Sequence, residues 1–98
     1  MNTIHIIGLG AGDLDQLPLG VYKKLKAAEN LYVRTADHPV LTELGEEGVT
    51  FQSFDAVYEK HDSFSPVYEE IAETLIGLSQ QAAVIYAVPG HQIGRAHV

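Results

Sequence analysis

The run Ala82-Ala83-Val84-Ile85-Tyr86-Ala87-Val88 is apolar at every position and meets Pro89-Gly90-His91 at once. A strand with one wet face alternates apolar and polar residues; a strand apolar throughout must be covered on both faces. That is the condition of a strand inside a parallel sheet sandwiched by helices. The rest of the chain supplies the matching parts. Ile4-His5-Ile6-Ile7-Gly8-Leu9 reads as a first buried strand, Leu31-Tyr32-Val33 as a second, and Val49-Thr50-Phe51-Gln52-Ser53-Phe54 alternates as a third. Pro18 suits the first turn of a helix that puts Val21, Tyr22, Leu25 and Ala28 on one face, with Lys23, Lys24 and Lys26 outside. Pro39 opens a short helix holding Val40, Leu41 and Leu44, stopped near Gly45 or Gly48. The clearest helix is expected to take Ser65 as N-cap and Pro66 at its first position, with Val67, Ile71, Leu75 and Leu78 at helical spacing. Strand–helix alternation with apolar strands predicts an α/β fold: a parallel sheet with flanking helices.

Charge and composition narrow the partners. The 98 residues include 6 Lys+Arg and 13 Asp+Glu, a net charge of −7, with no cysteine. An acidic chain with no basic run is a poor match to nucleic acid or to an anionic membrane surface. Without cysteine there is no disulfide framework and no thiolate metal site. The start lacks a basic n-region, and no stretch nears the ~20 apolar residues of a membrane span, so a cytoplasmic location is expected.

The C-terminal residues read differently from the rest. Ile93-Gly94-Arg95-Ala96-His97-Val98 can be spelled ATC GGA AGA GCA CAC GTC, a string within a widely used sequencing adapter whose next triplet in frame is a stop. The expectation is that residues 92–98 are a non-native tail and that residues 1–91 are part of a longer domain, cut after the fourth strand.

Parallel sheets bind ligands at the carboxyl ends of their strands. Two loops there have unusual composition. In Gly8-Leu9-Gly10-Ala11-Gly12-Asp13, glycines at alternate positions allow positive φ and close approach to a ligand. This is not the dinucleotide fingerprint, because the third glycine comes one residue early. Asp13 and Asp15 would also repel a pyrophosphate at the following helix end. The loop is either a tight strand-to-helix turn or a ligand loop. Pro89-Gly90-His91 is either an ordinary turn or a second ligand loop.

At these two loops the chain resembles the tetrapyrrole methylases, which carry a G-x-G-P-G-D loop after strand one and a G-D-P-type loop after strand four. It is most similar to the N-terminal half of proteins that fuse this domain to a MazG-type nucleotide pyrophosphohydrolase. Tyr32-Val33-Arg34-Thr35-Ala36-Asp37-His38-Pro39, Phe54-Asp55-Ala56-Val57-Tyr58-Glu59-Lys60 and Tyr86-Ala87-Val88-Pro89-Gly90-His91 carry that closer likeness. The resemblance implies the N-terminal domain of a two-domain methylase, with S-adenosyl-L-methionine in the cleft between the domains. It implies cofactor contacts at Gly10, Ala11, Gly12, Asp13, Pro89, Gly90 and His91, largely through backbone. Ala11 stands where members place proline, and His91 where some place aspartate. The implied acceptor is a small molecule, with a tetrapyrrole as one candidate class, and a homo-oligomer is open to the intact parent. With only one wall of the cleft present, the chain itself is expected to transfer no methyl group and to bind the cofactor weakly at most.

Methyl transfer from a sulfonium depends on alignment more than on a strong acid or base. Asp13, Asp37, His38, His61 and His91 are candidates should an acceptor need deprotonation. For each lone histidine a structural role competes with a catalytic one, and His5, inside a strand, reads as structural. Arg34 could pair with a substrate carboxylate or with Asp37; Asp37 and His38 flank it as further substrate-side candidates. No His/Asp/Glu cluster has metal-ligand spacing. Two other readings compete with the methylase: a nucleotide-binding α/β domain, and a non-catalytic regulatory module of the pyrophosphohydrolase. For the tail, resequencing the locus should reveal no genomic frame encoding Ile93 to Val98; an uninterrupted frame through those codons and their stop would refute the adapter origin.

Overall fold

The computed structural model describes residues 3–10 and 12–89. Four strands form one wholly parallel sheet: β1 (Ile4–Gly8), β2 (Leu31–Val33), β3 (Gln52–Ser53) and β4 (Val84–Val88), in the order β1-β4-β2-β3. Helices α1 (Leu19–Ala27), α2 (Pro39–Glu46), α3 (Asp55–Lys60) and α4 (Phe64–Ser79) lie between them, and a single 3-10 turn covers Leu14–Gln16. This is the expected α/β class, and it agrees with the fold expected of a methylase-type N-terminal domain.

Side chains alternate across each strand, so the sheet has two coats. Ile7, Leu31, Val33 and Ala87 bury one face with Leu25 of α1 and with Val40, Leu41 and Leu44 of α2. Val84, Tyr86 and Val88 bury the other with Phe54 and with Val67, Ile71 and Leu75 of α4. Ile4, Ile6 and Tyr32 pack partly buried against this second cluster, together with Val57 and Tyr58 of α3. The apolar run at the fourth strand thus serves both coats. Its register pairs Ile6 with Tyr86 and Gly8 with Val88 on one side, and Tyr32 with Tyr86 on the other.

Local differences from the sequence reading have physical causes. β3 is only Gln52–Ser53, not residues 49–54. The preceding residues are occupied in ending α2: Gly48 takes a left-handed φ of 91°, Gly48 N–H donates to Gly45 O and Val49 N–H to Leu44 O, both at 3.0 Å. That pairing is the αL helix stop in which the following apolar residue folds back, and Val49 does pack on the first cluster. Helix α3 adds an element to the sequence reading, in which only His61-Asp62 suggests a helix end; it starts at Asp55, with Phe54 between it and β3, and His61 is its C-cap. Helix α4 starts two residues early, with Ser63 as N-cap, so Pro66 sits third in the helix. Proline is tolerated anywhere in that turn because its missing N–H would lack an intrahelical partner. Pro18 is the N-cap of α1 rather than its first residue.

Leu75 is fully buried between α4 and the sheet. Leu75→Ala should lower unfolding free energy by about 2–5 kcal/mol, the range for a leucine truncated in a core that collapses only partly. Urea denaturation followed by circular dichroism measures this; a change below about 1 kcal/mol would show that α4 does not carry that core.

Candidate functional site

All strands being parallel, their carboxyl ends lie at one edge, and the loops after β1, β2 and β4 emerge there together. Two backbone hydrogen bonds bring them side by side. Leu9 N–H donates to Val88 O at 2.8 Å, joining the exits of β1 and β4. Arg34 N–H donates to Ala87 O at 3.0 Å, joining the exits of β2 and β4. Leu9 is buried in the first cluster, which anchors the first loop before its glycines begin.

In that loop Gly10 has φ of 73°, the left-handed region where a Cβ is disfavoured. Gly12 is crowded instead: a Cβ there would collide with the Gln16 side chain. The Asp13 carboxylate accepts from Asp15 N–H at 3.2 Å and caps the 3-10 turn. Pro89 follows β4 directly and is half-buried. Ala11, Gly90 and His91, the remaining cofactor-side candidates, lie outside the described residues.

The β2 loop contains the substrate-side candidates. Arg34 is half-buried and Asp37 exposed, and among the described residues no ion pair joins them. The Arg34 guanidinium instead lies near the Tyr86 phenol and partly offsets the effect of burial, which holds that phenol far above its ordinary range. Tyr86 is therefore a neutral hydroxyl. Close to it, the Tyr58 hydroxyl is buried without a hydrogen-bond partner among the described residues. His38 is 7% exposed and caps α2. Its Nδ1 accepts from Val40 N–H at 3.1 Å, and its Nε2 lies 2.7 Å from Gly10 O. Both ring nitrogens are thereby engaged within the protein. His61, another candidate base, is the C-cap of α3, and its Nε2 lies 2.9 Å from Glu70.

Two supporting carboxylates were missed in the sequence. Glu43 Oε2 accepts from Leu14 N–H at 2.7 Å, tying α2 to the 3-10 turn. Asp55 Oδ2 accepts from Ala36 N–H at 3.0 Å, tying the start of α3 to the β2 loop. The Asp55 contact had no sequence signal: a carboxylate in the first turn of a helix favours its own helix end, not an N–H from another loop. Glu43 gave none either, since a glutamate on a helix is ordinarily solvated. Among the described residues no cluster of three or more His, Asp or Glu could hold a metal ion, and no helix is long and apolar enough to cross a membrane.

A parallel sheet sandwiched by helices, with the exits of β1, β2 and β4 meeting at its carboxyl edge, is an α/β architecture of the methylase type. The sequence matches the family model of the tetrapyrrole (corrin/porphyrin) methylases over residues 3–92. It is 53% identical over 88 residues to the uncharacterized protein YabN of Bacillus subtilis (strain 168). That match takes in 90% of this chain and 18% of the relative, so the chain spans under a fifth of the relative's length. The chain belongs to the tetrapyrrole methylase family.

The Asp55 contact has a pH signature. Ala36 N–H first, then the Thr35 hydroxyl, hold the Asp55 carboxyl below its ordinary value, against the opposing effect of burial. The folded state thus binds this proton less readily than the unfolded state. The stabilisation is complete above the unfolded pKa of about 3.9 and is lost as pH falls through the lower folded value. Asp55→Ala should cost about 1–2 kcal/mol at neutral pH, and the gap from the parent chain should close in acid. Urea melts across the acid range test this; a gap that stays constant with pH would remove the charged carboxylate as its cause.

Proposed function

We propose that this chain forms the loop-bearing wall of an S-adenosyl-L-methionine-dependent methyltransferase site. Gly10, Ala11, Gly12 and Asp13 would face the cofactor from one loop, and Pro89, Gly90 and His91 from the other. The observation that carries this reading is the joining of the two loop bases by the Leu9–Val88 hydrogen bond, at an edge bearing the exposed carboxylates of Asp13 and Asp37. The charge of that edge suits the cofactor. A sulfonium and an ammonium are cations, which nearby carboxylates attract, whereas a dinucleotide pyrophosphate would be repelled. The left-handed Gly10 suits it too, because a backbone without Cβ admits a ligand at close range.

When bound, the cofactor supplies an electrophilic methyl group on sulfur. The chain's own contribution is orientation: the glycine loop and the β4 exit set where the donor lies relative to an acceptor. Arg34, half-buried and free of any ion pair among the described residues, is suited to an acceptor carboxylate, as a tetrapyrrole or another small acid would present. Asp37, exposed three residues further along the same loop, is a freer base than His38, whose ring is already engaged. The parent is read as a cytoplasmic fusion with a MazG-type nucleotide pyrophosphohydrolase. The length of the curated relative outside the match leaves room for such a unit.

Titration of the isotope-labelled chain with S-adenosylmethionine, followed by NMR, is the test. Fast-exchange shifts should concentrate on Leu9, Gly10, Gly12, Asp13, Arg34 and Val88, with S-adenosylhomocysteine reproducing them more weakly and NAD leaving them unmoved. Equal response to NAD would replace this reading with the nucleotide-binding one, and silence to millimolar S-adenosylmethionine would refute it for this chain.

A further inference from the structure

We propose that His38 is a positioning residue for the first ligand loop, locked in its Nε2–H tautomer with Gly10 O as the acceptor. A backbone N–H can only donate, so the nitrogen facing Val40 N–H, Nδ1, must offer a lone pair. A neutral imidazole then carries its proton on Nε2, and Nε2 faces a carbonyl, which can only accept. The two contacts thus demand the same tautomer. At 7% exposure the ring has little access to water, so both contacts are needed to satisfy it.

Capping alone does not explain the residue. Helix N-caps favour serine, threonine, aspartate and asparagine, whose short side chains reach the N–H groups of the first turn. Histidine performs that task with Nδ1 and extends a second polar atom beyond it. The second atom crosses a gap in the sheet order. His38 follows β2 and Gly10 follows β1, and β4 lies between those strands. The imidazole contact therefore ties the first loop to the start of α2, joining segments that leave two strands not adjacent in the sheet. Glu43 makes a second tie from the same helix, onto Leu14 N–H at 2.7 Å. Helix α2 grips the segment at Gly10 and again at Leu14, on either side of Gly12 and Asp13. The grip at Gly10 falls on a left-handed residue whose backbone freedom would otherwise be large. Fixing its carbonyl fixes the direction in which the loop leaves β1.

The two nitrogens can be replaced separately. Asparagine places its amide oxygen near the position of Nδ1 and keeps the cap, but it cannot reach Gly10. Glutamine places its amide nitrogen near the position of Nε2 and can donate to Gly10, but it caps poorly. In the full chain without ligand, His38→Asn should speed hydrogen exchange and shift the amide signals of Gly10, Gly12 and Asp13 while Leu41 and Leu44 stay protected. His38→Gln should do the reverse. Nitrogen-15 spectra of the parent chain should give His38 the signature of a protonated Nε2 and a bare Nδ1. The ligand arm rests on the proposed cofactor reading: His38→Asn should weaken S-adenosylmethionine binding about tenfold, and His38→Gln should change it less than about threefold.

If His38 is only a helix cap, loop order and affinity will follow the helix instead. His38→Asn will then leave both intact and His38→Gln will lose both, which overturns the proposal. A bare Nε2 in the spectra overturns it as well. Absence of S-adenosylmethionine binding by the parent chain removes the cofactor reading alone, and the exchange and tautomer measurements still decide the role of His38.

Discussion

The structure depends on β4 lying between β1 and β2. Its backbone is paired on both sides and its side chains reach both helical coats, so every other element is placed relative to it. Such a strand cannot carry a charged or strongly polar residue without burying it unpartnered. The single hydroxyl on its course, that of Tyr86, lies among Tyr58, Tyr68 and the Arg34 guanidinium rather than in solvent-like surroundings. The same central position puts the exits of β1 and β2 against the end of β4. The bonds from Leu9 and Arg34 to Val88 and Ala87 are a direct result.

A sheet edge presents loops, but it does not hold them still. Here the holding is done by polar groups on the helices that follow. His38 and Glu43 of the α2 region secure the loop after β1, and Asp55 at the start of α3 secures the loop after β2. Each contact satisfies a backbone group that secondary structure leaves unpaired. Each comes from a neighbouring loop or helix rather than from the loop it holds. The loops are thereby coupled into one surface whose free charge is carried by Asp13, Asp37 and Arg34.

Much of the fold was legible because periodicity and punctuation agreed. Val67, Ile71 and Leu75 fall on one helical face and are buried together, and Pro39 and Gly48 mark the two ends of α2. Legibility failed where local patterns compete. Residues 49–54 alternate like a strand, yet Val49 is drawn back into the stop of α2 and only Gln52–Ser53 pair with β2. Helix α3 is too short to show a period. The candidate site divided in the same way. Its glycines and its proline were visible as residue types, whereas Glu43 and Asp55 looked like ordinary surface carboxylates. His38 was visible as a histidine, with nothing local to say that both its nitrogens were engaged.

The amino-acid sequence by itself determined the layers: an all-apolar strand demands cover on two faces, and helical spacing supplies it. It also determined the family, through the glycine loop and the segments after the second, third and fourth strands. Tertiary structure alone decided that β2 takes the other side of β4 and β3 the edge, and therefore that the loop after β2 joins those after β1 and β4. It also decided which polar side chains hold those loops. The reason is distance along the chain: Gly10 and His38, or Leu14 and Glu43, are separated by whole elements and share no local pattern. Only the folding of β4 between its neighbours brings such pairs within hydrogen-bonding range.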